Sequence, residues 1–191
     1  MKQWFLNISI VGRISLAVGR YFLKKDMRVR NRKIQSIALE DARSIGILFN
    51  AKDEKTFKEI RDFAEEMRGG GVRKVKALGF VPKSDVAAFL ESSKDFDFFS
   101  PQDFNWYQKP QGRKVAGFIS EEFDILFDLR LKRSVSLLFI VGLSRAYFKV
   151  GKFEEKYKEY YDLMIDVADS AELPYFISQV KYYLSKINER K

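Results

Sequence analysis

Apolar positions along this chain come in short blocks, and the spacing within the blocks switches between a helical and an extended period. Over residues 2–25, steps of 100° put Lys2, Ser9, Arg13, Arg20 and Lys24 on one narrow face. Trp4, Ile8, Val11, Ile14, Val18, Tyr21 and Phe22 cover the opposite one. This predicts an amphipathic helix. Gly12 and Gly19 each weaken it by about 1 kcal/mol relative to Ala, so it calls for a surface to form on. Residues 26–35 read as a basic linker, in which an extended backbone puts Arg28, Arg30 and Arg32 on one side.

From residue 36 onward the pattern is that of a folded domain. Residues 44–50 (SIGILFN) are a short apolar run and read as a buried strand. Asp53 is placed to cap a helix with Phe57, Ile60, Phe63, Ala64 and Met67 on its inner face, stopped by Gly69, Gly70 and Gly71. Residues 72–81 read as the next strand. Pro82 and Ser84 then open a short helix with Val86, Phe89 and Leu90 inward. A third strand falls at 96–100, a turn at 109–112 and a helical turn around Val115, Phe118 and Ile119. Residues 123–129 (FDILFDL) predict another strand, 135–146 a helix, 147–150 a strand and 160–167 a last strand. Pro174 opens a terminal helix. Strands alternating with helices predict an α/β fold: three layers, a mainly parallel sheet with helices on both faces, preceded by the N-terminal amphipathic helix. The division expected is an arm at 1–35 and an α/β domain at 36–191.

Charge sharpens that division. The net charge is +9, and residues 1–39 hold nine basic side chains against Asp26 alone, a net +8. The body is therefore nearly neutral, and the leader is expected to meet something anionic. Arg13 and Arg20 break the apolar run, so the leader is too short of uncharged residues to span a bilayer. Arg13 also splits the apolar region that a secretory signal would need, whereas Arg-rich, acid-poor character overlaps with transit peptides.

Several chemistries fall away. Among 191 residues there is neither Cys nor His. That removes disulfides, zinc–thiolate sites, thiol nucleophiles and Ser-His or Cys-His pairs, and it fits a reducing compartment. Gly69–Gly71 are no phosphate cradle, because they follow a helix and precede a strand. No cofactor and no metal site is expected.

SIGILFN at 44–50, Asn105-Trp106 followed by Lys109-Pro110, FDILFDL at 123–129 and AYFKVG at 146–151 together resemble a family of short α/β proteins from Bacteroidota, known as a domain of unknown function. The resemblance covers residues 36–188. It implies that a short basic leader is ordinary in such proteins, and it supplies no activity and no catalytic residue.

Candidate sites follow from the residues. The leader offers Trp4, Ile8, Val11, Val18 and Phe22 for insertion into a membrane or partner, with Arg13, Arg20, Lys24, Lys25, Arg28, Arg30, Arg32 and Lys33 to bind anions. The expected role is a non-catalytic adaptor, cytoplasmic and peripheral on the inner face of a membrane, that also contacts a protein partner. An RNA- or ribosome-associated factor using the same arm is the alternative. The same helix could instead pack on its own domain or on a second copy of the chain. An open parallel sheet binds ligands beyond its carboxyl ends. Asn50, Lys52, Lys83, Asp128, Arg130 and Ser134 project there, which leaves open a nucleotide- or metal-using enzyme built on Asp128; the plainer role for Asp128 is a cap or a partner for Arg130 or Lys132. Phe96, Phe98, Phe99, Phe104, Trp106 and Tyr107 are either a recognition patch or core. Residues 152–161 read as a solvated face.

Overall fold

The computed structural model describes residues 2–82 and 94–187, with side chains from residue 12 onward. Its elements run α1 (Lys2–Val29), β1 (Ser44–Asn50), α2 (Glu54–Gly69), β2 (Lys74–Phe80), β3 (Phe96–Phe99), α3 (Arg113–Ser120), β4 (Ile125–Asp128), α4 (Val135–Leu143), β5 (Phe148–Lys152), β6 (Leu163–Ile165) and α5 (Leu173–Ser185). The helix expected after Pro82, with Lys83, Val86, Phe89 and Leu90, lies outside the described residues.

The sheet has six strands in the order β3-β2-β1-β4-β5-β6, and every pairing is parallel. Parallel strands buried on both faces need near-continuous apolar sequence, which SIGILFN and ILFD supply. Alternate side chains serve the two faces. Ile45, Ile47, Phe49, Ile125 and Phe127 point toward α2 and α5. Leu48 and Leu126 point toward α3 and α4. The three-layer α/β architecture is as the sequence predicts, with the parallel character extended to the whole sheet.

Two segments differ from the sequence-based expectation. The strand expected at 160–167 shrinks to Leu163–Ile165, because residues 155–160 form a 3₁₀ turn. Three residues per turn put Tyr157 and Tyr160 on the same side, and both are buried, so the solvated face within 152–161 is limited to residues such as Glu155, Lys156, Lys158 and Glu159. The leader helix continues through Asp26 to Val29, which shortens the linker to 30–38.

What α1 touches decides between readings that the sequence leaves open. α4 (VSLLFIVGL) has no polar side, and Ser136 through Leu143 are all buried. A helix apolar all round needs cover on both sides. The sheet covers one side and the C-terminal half of α1 the other, through Leu23, which is fully buried, and Met27. The approach is close: a Cβ on Gly142 of α4 would sit 2.9 Å from Leu23 Cδ1 and 3.0 Å from Met27 Sδ. On α1, a Cβ on Gly19 would collide with the Tyr107 carbonyl oxygen. Ser15 donates a hydrogen bond to the Trp106 carbonyl (2.7 Å) and Lys109 pairs with Asp26 at 2.8 Å. Gly19→Leu is therefore expected to cost about 1–3 kcal/mol by overpacking against backbone, seen as a lower urea midpoint together with new binding of a hydrophobic dye to uncovered α4.

Candidate functional site

In this topology the chain leaves β1 toward β2 and returns from the far edge to β4 on β1's other side. A crevice opens at that switch point, beyond the carboxyl ends of β1 and β4. It holds a cavity of about 540 Å³, walled by Asn50, the start of α2, the loop 130–134 and the start of α4. That volume suits a ligand of nucleotide size.

The two helix N-termini at the cavity are not equivalent. Asp53 caps α2: its side chain accepts a 2.7 Å hydrogen bond from Thr56 N. Hydrogen bonding from the Thr56 side chain first, and then from its backbone N–H and from Lys52, outweighs burial and holds the carboxyl below the usual range. A carboxylate already occupies the positive end of that helix. α4 is capped by neutral Ser134, at a long 3.4 Å from Leu137 N. Just before it, Arg130, Lys132 and Arg133 put three cations into four residues.

Beneath that loop lies a closed cluster of charge. Asp128, fully buried at the end of β4, takes a bidentate pair from Arg130: Nε to Oδ1 and Nη2 to Oδ2, both 2.6 Å. The Tyr161 hydroxyl donates to Oδ2 at 2.5 Å, and Arg133 Nε stands 3.6 Å from the same oxygen. Burial alone pushes the Asp128 carboxyl up, but Arg130, then Arg133 and the Tyr161 hydroxyl, outweigh it and hold the group below the usual carboxylate range. Burial first, and then the Asp128 charge, raises the Tyr161 phenol well above its ordinary value. Arg133 stacks on the Tyr161 ring at 4.6 Å and donates through Nη2 to the Lys152 carbonyl. Gly151 pairs with Asp128 across the sheet, and a Cβ there would sit 2.6 Å from the Tyr161 ring and 2.9 Å from Arg133 Nη2.

The fully buried charges do not balance. Both guanidiniums have fully buried side chains, and one buried carboxylate stands between them. Glu154, partly exposed, is the other acid near Arg133, at 3.7 Å from Nη1. Arg130 Nη1, Arg133 Nε and Arg133 Nη1 are buried without hydrogen bonds, as is Asn50 Oδ1. Together with the positive end of α4's macrodipole, this leaves an excess of positive potential at the cavity's α4 side.

Asn50 lines the cavity, with Nδ2 bound to the Lys132 carbonyl at 3.2 Å. Asp128 does not reach a ligand; its two oxygens are filled by Arg130 and Tyr161, so the partner role for Arg130 is the one the structure supports. Lys52 is exposed on the rim, 3.6 Å from Asp53. Among the described residues, no group of three or more acids comes together that could hold a metal ion. Arg133 and Tyr161 were not singled out by sequence; the cue that could have found Arg133 is its place among cations between a strand end and a helix start.

On the leader, Arg32 grips Asp162 bidentately (2.8 and 2.6 Å) and donates to the Ala146 and Tyr147 carbonyls. Arg30 donates to the Leu143 carbonyl at the end of α4, and Lys24 pairs with Glu159 at 3.2 Å. Arg30 and Arg32, expected to seek an external anion, are thus committed to α4's C-terminus and to Asp162. Phe22 is half-buried against Tyr107, ring centroids 4.9 Å apart. The side chains of Trp4, Ile8 and Val11 lie outside the described residues. No helix among those described is long and apolar enough to cross a membrane. The aromatic stretch divides: Phe96 and Phe99 are core, Tyr107 wedges between α1 and α4, and Trp106 is exposed.

The fold and the crevice define a doubly wound α/β protein with a cavity at its switch point. By sequence, the chain belongs to a family of unknown function, DUF6913, whose model matches residues 17–187. That span takes in the half of α1 that docks on α4. No curated protein and no solved structure matches the chain.

Proposed function

We propose that this protein is a binding module for a small anionic ligand, a phosphate ester or diphosphate of nucleotide size, held at the switch-point cavity by the loop 130–134 and the N-terminus of α4. The observation that carries the reading is the pair of buried guanidiniums, Arg130 and Arg133, sharing the single buried carboxylate of Asp128 at the positive end of a helix. An anion there would complete the charge balance and take hydrogen bonds from α4's free N–H groups. The α2 side is disfavoured because Asp53 would repel it. The absence of Cys suits a cytoplasmic, reducing setting.

Pyrophosphate and ADP serve as probes in a thermal-unfolding titration, with unfolding free energy expected to rise by about 2.7 kcal/mol at a hundredfold excess over Kd. Lys132→Glu should abolish the shift without changing the unliganded midpoint, because this side chain is exposed and makes no ion pair among the described residues. Asp53→Asn keeps a side-chain acceptor for Thr56 N and removes the charge, so it should tighten binding of both probes several-fold. If neither probe moves the midpoint at millimolar concentration, the reading fails.

A further inference from the structure

Docking uses only one side of α1. The buried side carries Ser15, Gly19, Leu23 and Met27, and at 100° per residue it leaves Ile14, Val18 and Tyr21, spaced by four and three, on a different side. Ile14 is 56% and Tyr21 65% exposed, and Trp106, on the loop beside the docked helix, is 69% exposed. These residues form one surface. Ring contacts link Tyr21 to Phe22 (5.6 Å), Phe22 to Tyr107 (4.9 Å) and Tyr107 to Trp106 (5.3 Å).

Cations border it. Arg13, Arg20 and Arg28 fall along one flank by the same geometry, and Lys25 lies within the stripe. None of these four makes an ion pair among the described residues, in contrast to Lys24, Arg32 and Lys109. A patch with Trp and Tyr at an apolar strip, edged by unpaired cations, has the chemistry of an interfacial helix.

We infer that this face of α1, with Trp106, docks on an anionic lipid surface, so that the protein sits peripherally on a membrane while the domain stays in water. Charge complementarity selects the occupant. Each cation near an anionic leaflet multiplies partitioning by about fivefold, and the aromatic strip supplies the second signal that stable association needs. A nucleic acid would use the same cations but gain nothing from Ile14 and Val18. The inference does not rest on the cavity, whose lining includes neither α1 nor Trp106.

The full chain is mixed with vesicles of phosphatidylglycerol and phosphatidylcholine, with pure phosphatidylcholine as control, and sedimented. Binding to the anionic vesicles alone is expected. The triple variant Ile14→Ser, Tyr21→Ser, Trp106→Ser should lose at least about tenfold in partitioning, and its unfolding midpoint should not fall because all three side chains are exposed. In a Trp4→Phe background, Trp106 emission should shift to shorter wavelength with anionic vesicles. Absence of binding to anionic vesicles overturns the inference. So does binding that the triple variant retains in full, or a Trp106 emission that vesicles leave unmoved. Salt-sensitive capture of RNA without any vesicle binding would assign the cations to the rival partner.

Discussion

Asp128→Ala is expected to cost about 3–5 kcal/mol of folding stability, the largest loss foreseen for any single side chain here. The reason is what stays behind. Arg130 and Arg133 would be two buried guanidiniums with no buried counter-charge, and the Tyr161 hydroxyl would lose its acceptor. A domain of this size has roughly 5–15 kcal/mol in total, so the variant would be marginal at best. Chemical denaturation at neutral pH measures it as a fall in midpoint at constant m. A second variant separates charge from packing. Asp128→Leu combined with Arg130→Met removes both partners, while Arg133 keeps Glu154 and the Lys152 carbonyl. The double variant should be more stable than Asp128→Ala alone, because deleting a buried pair costs less than orphaning one member. A single-variant loss below about 1 kcal/mol would mean that water or rearrangement already serves these guanidiniums.

The same cluster explains how far the sequence could be read. Strand and helix identities were legible because period and punctuation agree: SIGILFN followed by an Asp cap, a helical stripe and a triple-glycine stop leave one reading. The three-layer, mainly parallel architecture followed from alternation, whereas the strand order is a finding of the structure. The expected strand is longer than the observed one because Tyr160, Tyr161, Leu163 and Ile165 are all apolar, and the chain enters β6 only after a 3₁₀ turn has buried Tyr157 and Tyr160. Such burial at three-residue spacing cannot be told from strand alternation over so few residues.

Packing of α1 on its own domain is a reading the sequence leaves open; which side of the helix docks is not legible there, for a different reason. The amphipathic wheel of residues 2–25 centres its apolar face on the large side chains, but the docked side mixes Leu23 and Met27 with small residues: Ser15 and Gly19 let the helix approach the Trp106–Tyr107 loop, and Gly142 lets Leu23 and Met27 approach α4. A wheel weights residues by hydrophobicity, whereas close helix packing is decided by shape. One signal was available in advance. VSLLFIVGL has no polar side, and a helix of that kind on a sheet face requires a second cover from elsewhere in the chain. Arg133 eluded the reading because its role depends on Gly151 and Tyr161, which only the β4–β5 pairing brings beside it.

Lys149 gives the second large effect, and it runs in the stabilising direction. Its ammonium is buried beneath the C-terminus of α4, 3.4 Å from the Gly142 carbonyl. Burial first, then Arg32 and Arg30, lower its pKa from 10.5 to about 7, against the opposing pull of Asp162. Below pH 7 the lysine is charged in both the folded and the unfolded chain, so the folded state carries the full cost of burying it. Between about pH 7 and 10.5 the unfolded chain binds the extra proton, so stability rises with pH. The Tyr161 phenol acts oppositely: raised by burial, it contributes stability that is lost above about pH 10, which bounds the useful window. Wild-type stability should therefore climb by roughly 3 kcal/mol from pH 7 to 9.5 through Lys149 alone. Lys149→Met, of similar length and apolar, removes that slope. It should be more stable than wild type near pH 6, with the difference shrinking steadily toward pH 9.5. Denaturation midpoints across that range check it, and two parallel pH profiles would show that Lys149 keeps an ordinary pKa in the folded chain. The same substitution leaves the Arg32–Asp162 pair and the Arg30 contact at α4's end in place. The strap from α1 to the sheet then stays closed, and the change in slope reports the buried amine alone.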